Sequence, residues 1–169
     1  MRLVADVMMA KLARWLRLAG ISIYDANVVG DDALIRFVKA KRALLVTADR
    51  ALAERASRRR FRVLLVTQKD LESQIAFVVK SLNLKISAMP AMLCPVCNAK
   101  LQPISKKYAK SKVPEAAYKM HRKFYVCKKC GRIYWHGTHW KAIEKRFMRV
   151  RKIMRTIEGS PLRPLPRSR

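Results

Sequence analysis

Short runs of consecutive apolar residues alternate, over the first half of the chain, with stretches whose apolar positions recur every three or four residues. Arg2–Ala5 is an apolar run that stops at Asp6. Met8, Leu12, Trp15, Leu16 and Ala19 follow at i, i+4, i+7, i+8 and i+11, the spacing of one helical face. Gly20 stands where a left-handed cap closes such a helix. Ile21–Tyr24 predicts a second strand, and Asp31-Asp32 open a helix through Phe37 and Val38. Ala43–Thr47 predicts a third strand, Arg50–Arg58 a helix, Phe61–Val66 a fourth strand and Asp70–Leu82 a fourth helix. Strand–helix alternation of this kind predicts a parallel sheet covered by helices on both faces.

The pattern changes after the segment Lys85–Leu93, which contains Pro90 and has no period. Beyond it lie two cysteine pairs, a long basic stretch between them, and a helical pattern over Trp140–Ile157. Gly159–Arg169, with Pro161, Pro164 and Pro166, reads as an irregular tail. The expected organisation is an α/β unit over 1–86, a small metal-bound unit over 91–140, and a basic helix with a Pro-rich tail over 141–169.

Charge sharpens that division. The 169 residues carry 38 Lys and Arg against 11 Asp and Glu, a formal charge of +27. Residues 1–90 account for +9 and residues 91–169 for +18. Such an excess repels itself in a compact chain, so a densely anionic partner is expected, with nucleic acid foremost. The 51% hydrophobic content excludes a disordered basic tail. Apolar runs such as Val63–Val66 are far too short to span a bilayer. Asp6, Lys11, Arg14 and Arg17 interrupt any leader-like segment, so a cytoplasmic protein without membrane contact is expected. Five glycines supply neither a phosphate loop nor a dinucleotide fingerprint.

Cys94-Pro-Val-Cys97 and Cys127-Lys-Lys-Cys130 are two Cys-x-x-Cys turns separated by 29 residues. Each turn sets two thiols on one side, and two turns complete a tetrahedral Zn²⁺ site. Gly131 supplies the permissive backbone the second turn needs. Four thiolates close the coordination sphere, which makes the zinc structural. His136 and His139 are then surplus to the metal. A unit of this size buries too little surface to fold without such help.

The acids carry the other candidate chemistry. Ligands of an open parallel sheet bind at the carboxyl ends of its strands. Asp6 and Asp49 stand just past strands one and three, and Asp31 and Asp32 begin the helix after strand two. Carboxylates gathered in one crevice need cations between them, and hard oxygen donors suit Mg²⁺ or Mn²⁺. Such ions activate water and stabilise a leaving oxygen in phosphodiester hydrolysis. A helix-capping role competes for Asp31, Asp32, Asp49 and Asp70, each of which precedes a helical stretch.

The segment Val4-Ala-Asp6-Val-Met-Met-Ala-Lys-Leu-Ala-Arg-Trp-Leu-Arg17, with Gly20, Asp31-Asp32 and Leu44-Leu-Val-Thr-Ala-Asp49-Arg-Ala-Leu52, resembles the PIN-like RNases of the mut-seven exonuclease C-terminal type. Members of that branch join a short PIN-like parallel sheet to a zinc ribbon, and Cys130–His139 is similar to their ribbon. The resemblance extends from about residue 2 to 140. It implies a metal-dependent ribonuclease with Asp6, Asp31 or Asp32, and Asp49 as its acids. The chain departs from the family pattern at Ala10, where Gly is usual, and at Ala48, where Arg is usual. Asn27 and Val28 replace a frequent acid, and Asp70 alone could supply a fourth.

RNA contacts are expected along Lys11, Arg14 and Arg17, which share the helix beside Asp6. They are expected again in the spacer, at Lys106, Lys107, Lys110, Lys112, Arg122 and Lys123, and on the C-terminal helix at Arg146, Arg149 and Lys152. Tyr108 and Tyr118 interleave with the spacer cations and can stack bases. Phe124 and Tyr125 are expected in the ribbon core. Two functions compete: an endoribonuclease acting on structured RNA, and a catalytically weak RNA-binding protein on ribosomal RNA or ribosomal subunits. A DNA-reading factor ranks below both, because no recognition helix is visible.

Overall fold

The computed structural model describes residues 1–87, 92–137 and 139–157. The Pro-rich tail and Pro90 of the connecting segment lie outside the described residues. Strands β1 (Leu3–Ala5), β2 (Tyr24–Asp25), β3 (Leu44–Thr47) and β4 (Val63–Leu65) form one parallel sheet in the order β2-β1-β3-β4. Helices α1 (Ala10–Leu18), α2 (Asp31–Lys41), α3 (Arg50–Arg58) and α4 (Leu71–Ser81) make the connections and the final cover. A 3₁₀ turn, Val7–Met9, leads into α1. The first crossover places β2 on one side of β1, and the second carries the chain to β3 on the other. That reversal opens a crevice beyond the carboxyl ends of β1 and β3.

Period-two alternation assigns each strand residue to a face. Leu3, Ala5, Leu44 and Val46 join one core with Leu12 and Leu16 of α1 and Ile75 and Val79 of α4. Val4 and Leu45 join the other, with Leu34, Ile35 and Val38 of α2 and Leu52 and Ala56 of α3. The central strands are therefore apolar on both sides, as the continuous runs in the sequence require. The second expected strand is displaced: Ile21 and Ile23 are buried in the first core as loop, and only Tyr24 and Asp25 pair with β1. Gly20 takes φ +82°, the left-handed value its position after α1 predicts.

A second, antiparallel sheet follows, with β5 (Leu101–Ile104), β6 (Phe124–Cys127) and β7 (Ile133–Trp135) in that order. The basic spacer between β5 and β6 folds into α5 (Lys106–Ala109) and α6 (Glu115–Met120). Helix α7 (His139–Thr156) then packs against α4. Phe147 and Val150 are buried in the first core, flanked by Ile143, Ile153 and Met154. The helix expected as a basic arm thus spends one face completing the α/β unit. Among the described residues, no helix is long and apolar enough to cross a membrane.

Candidate active site and metal centre

Asp6 leaves β1 at the crevice with its backbone N–H bonded to Val46 O at 3.0 Å. It precedes the 3₁₀ turn without capping it by its side chain. Its carboxylate is buried, and Oδ2 accepts from Thr47 Oγ1 at 2.9 Å. That same hydroxyl accepts the Asp49 N–H at 3.0 Å. Asp49 in turn caps α3, its Oδ1 accepting from Leu52 N at 3.0 Å. Capping and a place at the strand end are thus held by one residue at once. Asp6 and Asp49 converge on Thr47, and the hydrogen bonds among the described residues use one oxygen of each carboxylate.

Asp31 and Asp32 occupy the first turn of α2, behind Gly30 at the N-cap, where a helix dipole favours negative charge. Arg55 lies 3.3 Å from Asp31 Oδ2 and 2.7 Å from Asp32 Oδ1, and Arg59 lies 3.0 Å from the latter. The Arg59 hydrogen bond, helped by the Arg55 charge, holds Asp32 below the ordinary carboxylate range. Asp70 caps α4 through Ser73 N and takes no part in the crevice pair's hydrogen bonds. Among the described residues, the four aspartates do not form a group whose donor atoms lie within 4.8 Å of one another.

The four cysteines do. The Sγ atoms of Cys94, Cys97, Cys127 and Cys130 all lie within 4.8 Å of each other, with Cys94–Cys130 at 3.7 Å and Cys97–Cys127 at 3.3 Å. A tetrahedron of thiolates at Zn–S about 2.3 Å spaces its sulfurs by about 3.8 Å, so the donor set fits that ion. The two turns are built alike. Asn98 N donates to Cys94 O at 3.0 Å and Gly131 N to Cys127 O at 2.8 Å. Both residues are left-handed, at φ +63° and +73°. A Cβ on Gly131 would meet nothing, so the requirement there is conformational, and asparagine meets it in the first turn. The Arg132 backbone N–H draws the Cys130 thiol down to about 6, whereas burial pushes Cys97 up to about 12.

Arg17, expected on an RNA-facing stripe, is instead 2% exposed. Its Nε and Nη2 donate to Ile23 O at 2.9 and 2.7 Å, and Nη1 to Pro95 O and Val96 O at 3.2 Å. Nη2 also stands 2.8 Å from Asp25 Oδ1, an ionic contact off the hydrogen-bonding line. The guanidinium therefore ties α1 and β2 to the first cysteine turn, and it is not free for phosphate. Asn98 adds to the joint by accepting Ile23 N and donating to Ser22 Oγ. Lys11 and Arg14 remain exposed on α1.

The other expected RNA contacts divide in the same way. Arg146 and Arg149 both reach Glu72 Oε1, at 3.1 and 2.9 Å, and Arg146 also covers the Trp15 ring. Lys106 lies over Tyr118 and Lys112 over Tyr108, so those rings are partly shielded by the cations beside them. Lys107, Lys110, Arg122, Lys123 and Lys152 are exposed. Three residues of the site were not singled out from sequence: Thr47, Arg55 and Asp25. Asp25 carried a readable signal, because it directly follows the second expected strand, as Asp6 and Asp49 follow theirs.

A family model described as the Mut7-C RNAse domain matches residues 1–147. No curated protein and no solved structure matches the chain.

Proposed function

Since the chain belongs to the Mut7-C RNAse domain family, we propose that it is a metal-dependent endoribonuclease acting on structured RNA. The observation that carries this reading is that Asp6, through its carboxylate, and Asp49, through its backbone N–H, share the Thr47 hydroxyl at the sheet's switch point. Mg²⁺ commonly takes one or two carboxylates and completes its sphere with water and substrate phosphate. Asp6 and Asp49 would supply those carboxylates, and Mn²⁺ accepts the same donors. A bound divalent ion supplies an acidified water and charge stabilisation at phosphorus. Asp31 or Asp32 would join the pair after exchanging Arg55 and Arg59. Thr47 fixes the Asp6 carboxylate and the Asp49 backbone, Lys11 and Arg14 draw the phosphate backbone toward the crevice, and the ribbon holds the RNA. Cys94, Cys97, Cys127 and Cys130 hold structural zinc in this reading.

The capture of Asp31 and Asp32 by arginines favours a second reading. In it the protein is a weak or inactive relative of the nucleases, bound to ribosomal RNA or a ribosomal subunit. One comparison separates the two: RNA cleavage with Mn²⁺, and RNA binding, by the wild type and by Asp49→Asn. Asparagine caps a helix about as well as aspartate, so the variant removes charge without disturbing the start of α3. The nuclease reading expects cleavage lost and binding kept. Wild-type protein that never cuts, and co-sediments with ribosomal subunits until high salt releases it, would replace that reading with the second.

A further inference from the structure

His136 and His139 lie outside the thiol cluster and far along the chain from the aspartates. Both line a cavity of about 230 Å³ bounded by β5–β7, the start of α7, Leu18 of α1 and the segment Met92–Pro95. Tyr125, Trp135 and Trp140 supply aromatic walls, and Ile133 and Ile143 an aliphatic one. The His136 ring stacks on Trp140 at 4.5 Å between centroids and 20° between planes. Tyr125 stands 6.2 Å from the same imidazole. His136 is exposed, whereas Tyr125, Ile133, Trp135, Trp140 and Ile143 are all half-buried, so the imidazole stands at the rim of the cavity.

The surroundings narrow the occupant. The volume falls below the range of about 300–1,000 Å³ that drug-sized ligands occupy. It admits one flat ring system and leaves anything larger outside. Outside the cavity both signs of charge are present, Glu144 acting on His136 ahead of Lys123, but residues 91–169 as a whole carry +18. Lys141, next to Trp140, is exposed. A flat, partly polar ring attached to an anionic backbone satisfies aromatic walls, imidazole edges and the exposed lysines nearby together. An apolar side chain from a protein would use the aliphatic wall and leave the imidazoles and lysines without a role.

We propose that this cavity binds one unpaired nucleobase of single-stranded RNA, stacked against the Trp140–His136 pair, with the flanking phosphates on Lys123 and Lys141. The proposal deepens the RNA reading above and rests on it. The test compares hexaadenylate with a ribose-phosphate hexamer of equal charge that lacks its bases, by equilibrium binding at fixed salt and by indole fluorescence. The wild type is expected to bind hexaadenylate about tenfold tighter, with quenching that the abasic hexamer does not cause. His136→Ala, at an exposed position, should narrow that preference, and Trp140→Ala should abolish it, both without changing affinity for the abasic hexamer. Trp140→Phe should keep most of it. Lys123→Ala should weaken both hexamers alike. Equal wild-type affinities, or a preference untouched by Trp140→Ala and His136→Ala, would overturn the base site while RNA binding itself stands, and would leave the cavity to an apolar protein segment. Failure of the wild type to bind either hexamer or any longer RNA would instead sink the RNA reading beneath it.

Discussion

Thr47 closes a strand that is otherwise wholly apolar, and its hydroxyl is fully buried between the Asp6 carboxylate and the Asp49 N–H. Thr47→Val preserves the shape but leaves both groups without that partner. Its expected cost is about 1–3 kcal/mol of stability, with cleavage lost alongside; Thr47→Ser should restore both, as urea titration and an RNA cleavage assay will read. Arg17 makes a contrasting case. Removing a buried guanidinium and stranding Asp25 should cost about 3–5 kcal/mol. Its loss should leave the salt dependence of RNA binding unchanged, whereas Lys11→Ala should reduce the slope by about one. Neither role was legible from residue spacing. A threonine at a strand end and an arginine on an amphipathic helix both have unremarkable solvated positions, and only the tertiary neighbours take them out of water. The cap on α3 takes one Asp49 carboxylate oxygen.

The elements with a strong period were the most legible. Arg50–Arg58 folds as the helix expected over those residues, and β3 keeps four of the five expected positions. Strand β2 shifted because it is an edge strand with a three-residue partner, and Ile21 and Ile23 gain more by entering the core than by pairing. Helix α7 was read through its lysines and arginines, although Ile143, Phe147, Val150 and Met154 repeat at helical spacing on its other side. Phe147 meets Trp15 edge-on at 5.8 Å, and Phe147→Ala should cost about 3–5 kcal/mol in chemical denaturation. Glu72 fastens the same interface by receiving Arg146 and Arg149. Burial alone would raise its carboxyl, but Arg149 and the charge of Arg146 more than offset that and hold it below its ordinary 4.5. A lowered folded pKa gives stability that is full above the unfolded value and fades as pH falls through the folded one. Glu72→Gln should therefore destabilise the protein by about 0.5–1 kcal/mol near neutrality. The difference between variant and wild type should shrink below about pH 4.5, measured by thermal melts across pH.

For the whole molecule, +27 makes ionic strength a sensitive control. Contact with six to ten phosphates would reduce affinity by about 10³–10⁵ between 50 and 200 mM salt, and a shallow dependence would contradict an RNA-gripping role for the basic half. Apart from Phe124, Ala109 and Ala117, the ribbon's buried side chains gather at the thiols. Its buried cluster is Cys94, Leu101 and Cys127, with Cys97, Ala99, Tyr125, Cys130 and Tyr134 around them. Chelation should therefore melt β5–β7, seen as lost near-ultraviolet dichroism from Trp135 and Trp140. The two units nevertheless share a fastener. Pro95 and Val96 belong to the first cysteine turn, yet they saturate a guanidinium that also braces β2. If zinc fills the thiol cluster, stripping it would leave Arg17 Nη1 without its two carbonyl acceptors inside the α/β unit, so the sheet cannot outlast the ribbon undisturbed. Calorimetry of the intact chain should show one endotherm, whose midpoint tracks zinc supply even when followed by a probe far from any sulfur.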